Sequence, residues 1–168
     1  MSAARLDPLS VHEASHALAG HLLGARVLRC EVFASGHGRT NSMFRGVSRL
    51  SRIKVVLAGH QGERLLVPAQ ADPAHAEKDI EKAVSLAFAM ARLGERQRLA
   101  ARGLDEPDEK MLRRYAARAE ALIALAERDV AELLAANRPT LERLAAKLQT
   151  DGKLGGRAVA AIVGGVPV

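Results

Sequence analysis

The chain has 168 residues, of which 48% are hydrophobic and 26% are charged. This composition excludes a disordered, solvated segment and is typical of one folded domain, which we expect to span residues 1–168. The single cysteine, Cys30, excludes an intrachain disulfide and a zinc site built from several cysteines.

The formal net charge of +6 at pH 7 raises the question of nucleic-acid binding. Lys and Arg residues are interspersed with Glu and Asp, and aromatic side chains, which stack on bases, make up only 2% of the chain. We therefore predict a solvated charged surface and no nucleic-acid partner. No apolar run approaches the roughly 18 residues of a membrane span, and no targeting segment is recognisable, so a cytoplasmic location is expected.

The abundance of Ala and Leu favours helices. A helix over 8–23 is predicted to begin at Asp7, an N-cap residue, and Pro8, and to end at Gly24. A strand over 27–34 precedes a loop or hairpin turn over 35–42, the one β region predicted. Further helices are expected over 47–66, from a start within 75–79 to Gly94, through 111–134 and over 140–149. A charged linker is expected over 95–108, and a Gly-rich tail at the C-terminus.

The predicted fold class is mainly α, a compact helical domain with one short strand or hairpin. Its functional residues are expected in residues 1–94, with residues 108–168 forming a C-terminal helical part. In the third helix Ile80, Val84 and Phe88 recur at four-residue spacing, which predicts a stripe buried against the core.

The first helix contains His12-Glu13-Ala14-Ser15-His16, an HExxH pattern. A four-residue step turns a helix by about 40° and advances it by roughly 6 Å, so both imidazoles lie on one face and can bind one zinc ion. Glu13, one residue on from the first histidine, can reach a water molecule at the metal without being a ligand. The pattern therefore indicates a zinc hydrolase site with Glu13 as general base.

A simpler interpretation of the same residues is structural. His12 and His16 would then be ordinary helix-face histidines, and Ser10 with Glu13 would form a capping box in which the carboxylate accepts from a backbone N–H.

A catalytic zinc site needs a third protein ligand. The metzincin spacing fails, because Ala19 and Leu22 occupy its Gly and His positions, and His21 lies about 140° round the helix from His16. The candidates that remain open are His37, His60, Asp72, His75, Glu77 and Asp79. Asp79 is attractive because it opens an amphipathic helix, although a first-turn carboxylate also interacts favourably with the helix dipole.

Several segments, in the right order over most of the chain, resemble the zinc peptidase domain of the FtsH family, the membrane-anchored AAA proteases. The segment VHEASHALAGHLL from Val11 is similar to the family's HEAGH helix, and VVLAGHQGERL from Val55 is similar to LLGGRAAEEL. KDIEKA from Lys78 is similar to NDLERAT, and the residues after Asn137 resemble the closing helices.

The resemblance implies zinc ligation by His12, His16 and Asp79, with Glu13 as general base. Glu63 would orient a ligand, and the strand at 31–34 would bind an extended substrate by strand addition through Val32, Phe33 and Ala34. Gly59 and Gly62 are expected to allow close helix packing.

The chain also departs from the family. The 168 residues contain no GxxxxGK[ST] phosphate loop, and we expect neither an AAA module nor a membrane anchor in this chain. Ser15 replaces the family's Gly, and Lys78 replaces an Asn.

We therefore predict a zinc metalloendopeptidase that hydrolyses unfolded or flexible polypeptides without ATP. The alternative is a catalytically inactive zinc-binding module that holds a peptide or protein. A basic helical nucleic-acid binder is a third and weaker hypothesis. A homo-oligomer is open, either a ring like that of the family or a dimer.

Overall fold

The computed structural model describes residues 5–71 and 73–164. Its helices in these ranges are α1 (Pro8–Leu22), α2 (Arg49–Leu66), α3 (Pro73–Ala91), α4 (Glu95–Arg102), α5 (Glu109–Ala136), α6 (Arg138–Asp151) and α7 (Gly156–Val163). The strands are β1 (Arg26–Phe33), β2 (His37–Met43) and β3 (Lys153–Gly155). The predicted mainly-α fold class is confirmed.

The helices begin where the sequence supplies caps. The Asp7 carboxylate accepts from the backbone N–H of Ser10 at 2.8 Å, and Pro8 occupies the first turn of α1. The hydroxyl of Ser48 caps α2, and Asp108 caps α5. The predicted start of α1 is therefore confirmed, and the capping box is wrong because Asp7, not Ser10, is the cap.

The three strands form one antiparallel sheet in the order β2-β1-β3. A hairpin joins β1 to β2, and the chain reaches β3 only after α6. β1 is thus the central strand, paired on both sides. Glu31 on β1 contacts Arg39 on β2 at 3.0 Å and Lys153 on β3 at 3.1 Å, so one carboxylate links all three strands.

Helices α1 and α2 pack side by side at the centre of the domain. α1 also contacts the sheet and α6, and α2 contacts α3 and α5. The two central helices approach closely where Ser15 faces Gly62, because a Cβ at Gly62 would lie 1.8 Å from the Ser15 Oγ. The Ser15 hydroxyl donates to the Val11 carbonyl at 2.7 Å. The bulk added at Ser15 is thus accommodated by the missing side chain at Gly62.

The face by which α3 packs differs from the predicted one. Ile80 and Val84 are each 45% exposed. The buried face instead consists of Ala76, Ala83, Ala87 and Ala91. The stripe prediction is wrong for Ile80 and Val84, because α3 lies close against α2 and α5 and presents methyl groups to this interface. Phe88 is partly buried and packs against the core as predicted.

Three elements of the described ranges, α4, β3 and α7, were not predicted from the sequence. The predicted charged linker contains α4, whose ends are set by Gly94 and Gly103 at positive φ and which buries only Leu99. The segment over 35–42, predicted as a loop or hairpin turn, contains most of β2, so the hairpin alternative is confirmed. The predicted Gly-rich tail contains β3 and α7. At Gly156 a Cβ would lie 2.1 Å from the Val27 carbonyl oxygen, so glycine there allows α7 to pack against β1. None of the helices in the described ranges has the length and apolarity that crossing a bilayer requires.

Candidate metal centre

Three side-chain atoms converge between α1 and α3. The Nε2 atoms of His12 and His16 lie 3.0 Å apart, and the Asp79 Oδ2 lies 3.1 Å from the first and 2.9 Å from the second. Ligand atoms at about 2.0 Å from a tetrahedral zinc ion lie roughly 3.3 Å from each other. The three atoms therefore have nearly the separation that zinc requires.

The hydrogen bonds of the two Nδ1 atoms determine whether the converging Nε2 atoms carry lone pairs or protons. The Nδ1 of His16 lies 2.7 Å from the Val55 carbonyl oxygen, which can only accept, so this nitrogen carries a proton. The Nδ1 of His12 lies 2.6 Å from the Oε1 of the fully buried Glu63, and it donates in the same way. In the neutral rings both Nε2 atoms then present lone pairs. These lone pairs and the Asp79 carboxylate would repel one another unless a positive charge lay between them, so the three atoms fit a bound cation.

The electrostatics of the cluster favour positive charge at the same point. Burial lowers the pKa of His12, but hydrogen bonds to Asp79 and Glu63 outweigh it and raise that pKa to about 9. For Asp79, burial acts to raise the pKa, whereas hydrogen bonds from His12 and His16 hold it well below its usual range. The carboxylates thus stabilise positive charge between the two rings, which either a proton on the His12 imidazole or a bound cation supplies.

Helix α2 comes very close to the two imidazoles at Gly59. A Cβ on this residue would lie 2.5 Å from the His12 Nε2 and 2.6 Å from the His16 Nε2. The glycine expected to serve helix packing therefore also borders the ligand atoms, and the space beside them depends on its missing side chain.

Glu13 lies outside the ligand triangle. Its Oε2 accepts from the Thr40 Oγ1 at 2.7 Å, and its Oε1 lies 2.5 Å from the position that a Cβ on Gly38 would occupy. The carboxylate is 6% exposed and is held between α1 and β2. It does not bond to the first turn of α1, as a capping box would require.

A cleft of about 250 Å³ opens over these groups. It is lined by the following residues: His12, Glu13, His16, Gly38, Arg39, Thr40, Ser42, Phe44, Val55, Val56, His75, Lys78, Asp79 and Lys82. A larger cavity of about 580 Å³ lies beside the C-terminal end of α1 and the start of α7, and among its lining residues are His21, Arg26 and Arg157 but no carboxylate. The residues of the HExxH pattern and Asp79 therefore lie at the smaller cleft.

The expected substrate strand is not at the cleft. Val32 pairs with Gly38 on one side and donates from its backbone to the Gly152 carbonyl at 2.9 Å on the other, so neither edge of β1 is open there. Phe33 pairs with His37, and Ala34 lies in the hairpin turn. This pairing argues against strand addition at Val32, and β2 is the strand beside the cleft. Substrate binding at Val32, Phe33 and Ala34 stays an untested prediction.

The other ligand candidates are distributed differently. His75 approaches Glu63, with its Nδ1 at 3.4 Å from the Oε1, so that His12, Glu63 and His75 form a second group able to hold a metal. His37 and Glu77 are exposed, and His60 belongs to neither of the two groups found in the described part of the chain. Asp72 lies outside the described residues.

Two histidines one turn apart on α1 and a carboxylate from α3 therefore form a group that could hold a metal ion. No protein-family model matches the chain. Over 167 residues, however, it is 34% identical to the ATP-dependent zinc metalloprotease FtsH 1 of Symbiobacterium thermophilum, an alignment that covers 90% of this chain and 28% of that protein. The chain is thus distantly related to a region of an FtsH metalloprotease and spans less than a third of that relative's length.

Proposed function

We propose that this chain is a zinc-dependent endopeptidase that hydrolyses flexible or unfolded polypeptides without ATP. The observation that carries the proposal is the convergence of two imidazole lone pairs and one carboxylate oxygen at 2.9–3.1 Å, beside a separate buried carboxylate. The distant relationship to a zinc metalloprotease supports the same class of chemistry.

In this proposal His12, His16 and Asp79 hold the zinc ion, and Glu63 and the Val55 carbonyl fix the orientation of the two imidazoles. When bound, zinc lowers the pKa of a water ligand to about 7 and polarises the scissile carbonyl. The Glu13 carboxylate takes the proton of the attacking water and later delivers it to the leaving amine. Glu13 is suited to this role because it lies at the cleft but outside the ligand set.

Substrate is proposed to bind along β2. In the described residues this strand pairs only with β1, and Gly38, Arg39, Thr40 and Ser42 of β2 line the cleft. An extended polypeptide can add to such an edge through backbone hydrogen bonds, which requires a segment free of its own secondary structure. This requirement is the reason to expect flexible polypeptides as substrates.

The test is the hydrolysis of casein, a disordered protein, by the zinc-loaded chain without nucleotide. We expect peptide products that disappear after treatment with a chelator and return when zinc is restored. One zinc ion per chain with no cleavage of casein or of fluorogenic peptides would overturn the proposal and would favour the inactive zinc-binding module instead.

Thr40→Val should lower the turnover number for peptide hydrolysis by about tenfold with little change in KM. The substitution keeps the shape of the side chain but removes the hydroxyl that holds the Glu13 carboxylate, an interaction worth about 1–2 kcal/mol. Steady-state kinetics on one fluorogenic peptide measure both constants. Thr40→Ser, which retains the hydroxyl, should recover most of the rate, and equal losses in the Val and Ser variants would contradict the positioning role.

A further inference from the structure

The two walls of the cleft carry cationic side chains. Lys78 and Lys82 extend from α3, and Arg39 extends from β2. The acidic residues of the lining are Glu13 and Asp79, and both are already engaged, the first by Thr40 and the second by the two imidazoles. The charges of the cleft that remain for a substrate side chain are therefore positive.

The two lysines are the more available of these cations. Arg39 is bonded to Glu31 at 3.0 Å, whereas Lys78 and Lys82 are exposed and form no ion pair with any residue in the described ranges. They lie one helical turn apart on either side of Asp79, and so on the same face of α3. Lys78 is also the residue that replaces an Asn in the FtsH pattern.

We propose that Lys78 and Lys82 select polypeptides with an aspartate or glutamate side chain next to the scissile bond. This inference rests on the proposed function and names its substrate class. An extended segment on β2 points alternate side chains to opposite faces, and those directed across the cleft meet the α3 wall. An acidic side chain forms ion pairs there, whereas a lysine or arginine at the same position is repelled.

A nucleic-acid ligand fits the same cations less well. The cleft of about 250 Å³ contains one aromatic ring apart from the histidines, that of Phe44, so it offers little surface on which bases could stack. An acidic polypeptide therefore fits the cleft better than a nucleic acid does, and competition by an oligonucleotide tests this preference.

The test compares fluorogenic peptides that are identical except for Asp, Asn or Lys beside the cleaved bond. One set places this residue on the amino side of the bond and another on the carboxyl side. In at least one set we expect kcat/KM to be about three- to tenfold higher for Asp than for Asn, the range that two exposed ion pairs supply, and lowest for Lys. The preference should arise mainly in KM and should diminish as salt is added.

Lys78→Gln/Lys82→Gln is expected to bring the Asp-to-Asn ratio close to one. Lys110→Gln is the matched control, because Lys110 is an exposed helical lysine outside the cleft and its substitution should leave the ratio unchanged. The ratio compares two peptides on one variant, so partial damage to catalysis lowers both rates without altering it.

Binding of the same peptides to the zinc-loaded Glu13→Gln variant, followed by fluorescence anisotropy, separates this inference from the proposed function. If the wild-type chain cleaves none of the peptides but Glu13→Gln binds the Asp peptides more tightly than the Asn peptides, the peptidase is refuted and the acidic preference is supported. Equal binding and equal cleavage of the Asp and Asn peptides would overturn the inference, as would a single-stranded oligonucleotide that competes better than the Asp peptide.

Discussion

Glu13→Gln is expected to reduce casein hydrolysis by about 10²- to 10⁴-fold, the usual contribution of a general base. The glutamine side chain has the same size and can still accept the hydrogen bond that Thr40 donates to Glu13. It cannot take a proton, so the loss falls on the chemical step. Because Glu13 is outside the ligand triangle, the zinc content should stay at the wild-type value. Initial rates and metal analysis on the same preparation measure both.

Glu77→Gln is the matched control for this variant. Glu77 is an exposed carboxylate on α3, two residues from Asp79, and it does not line the cleft. Its substitution should leave the rate within about twofold of wild type, as expected for a surface change. Equal activity of Glu13→Gln and wild type would contradict the role assigned to Glu13.

Gly59→Ala is expected to weaken zinc binding by about a hundredfold or more, a loss at least as large as that from removing a hydrogen-bond partner of a ligand. The added methyl would lie 2.5–2.6 Å from the Nε2 atoms of His12 and His16, so at least one ring must move out of the convergent position. Alanine is favoured over glycine inside a helix by about 0.5–1 kcal/mol. The chain can therefore stay folded while the metal is lost, which a competitive zinc titration and a thermal melt would show.

Gly20→Ala provides the matched control, since Gly20 is also a helical glycine in the core. Its added Cβ would lie 3.5 Å from the Ser42 hydroxyl and 3.5 Å from the nearest Val27 methyl, which is ordinary contact. Wild-type zinc affinity is expected for this variant. If Gly59→Ala also bound zinc with wild-type affinity, the two imidazoles would not be the ligands in the arrangement described.

Local sequence was sufficient for the parts of the fold that depend on local interactions. Asp7 and Pro8 mark the start of α1 because capping involves residues only three positions apart. The same helix holds both histidines, so their common face follows from the periodicity alone. The third ligand comes from a distant part of the chain, so spacing left six candidates for it open until the resemblance to the FtsH pattern favoured Asp79.

Features that depend on long-range packing were predicted only in part. The weakly apolar β2 forms because it pairs with β1, and its Thr40 reaches Glu13 across 27 positions of the chain. The packing face of α3 consists of alanines because α2 and α5 lie close to it. A hydrophobicity pattern failed here because it favours burial of the larger Ile80 and Val84, which are exposed, over burial of alanine. Close helix packing at Gly62 was predicted and is confirmed, but the residue opposite it, Ser15 on α1, is a long-range contact that local sequence does not identify.

The zinc content of the wild-type chain and of Asp79→Ala, determined side by side by elemental analysis, tests the central claim most directly. We expect one zinc ion per chain in the wild type and a small fraction of that in the variant, because the carboxylate at 2.9–3.1 Å from both imidazoles is removed. Full zinc occupancy in Asp79→Ala would contradict the account and would move the metal to His12, Glu63 and His75.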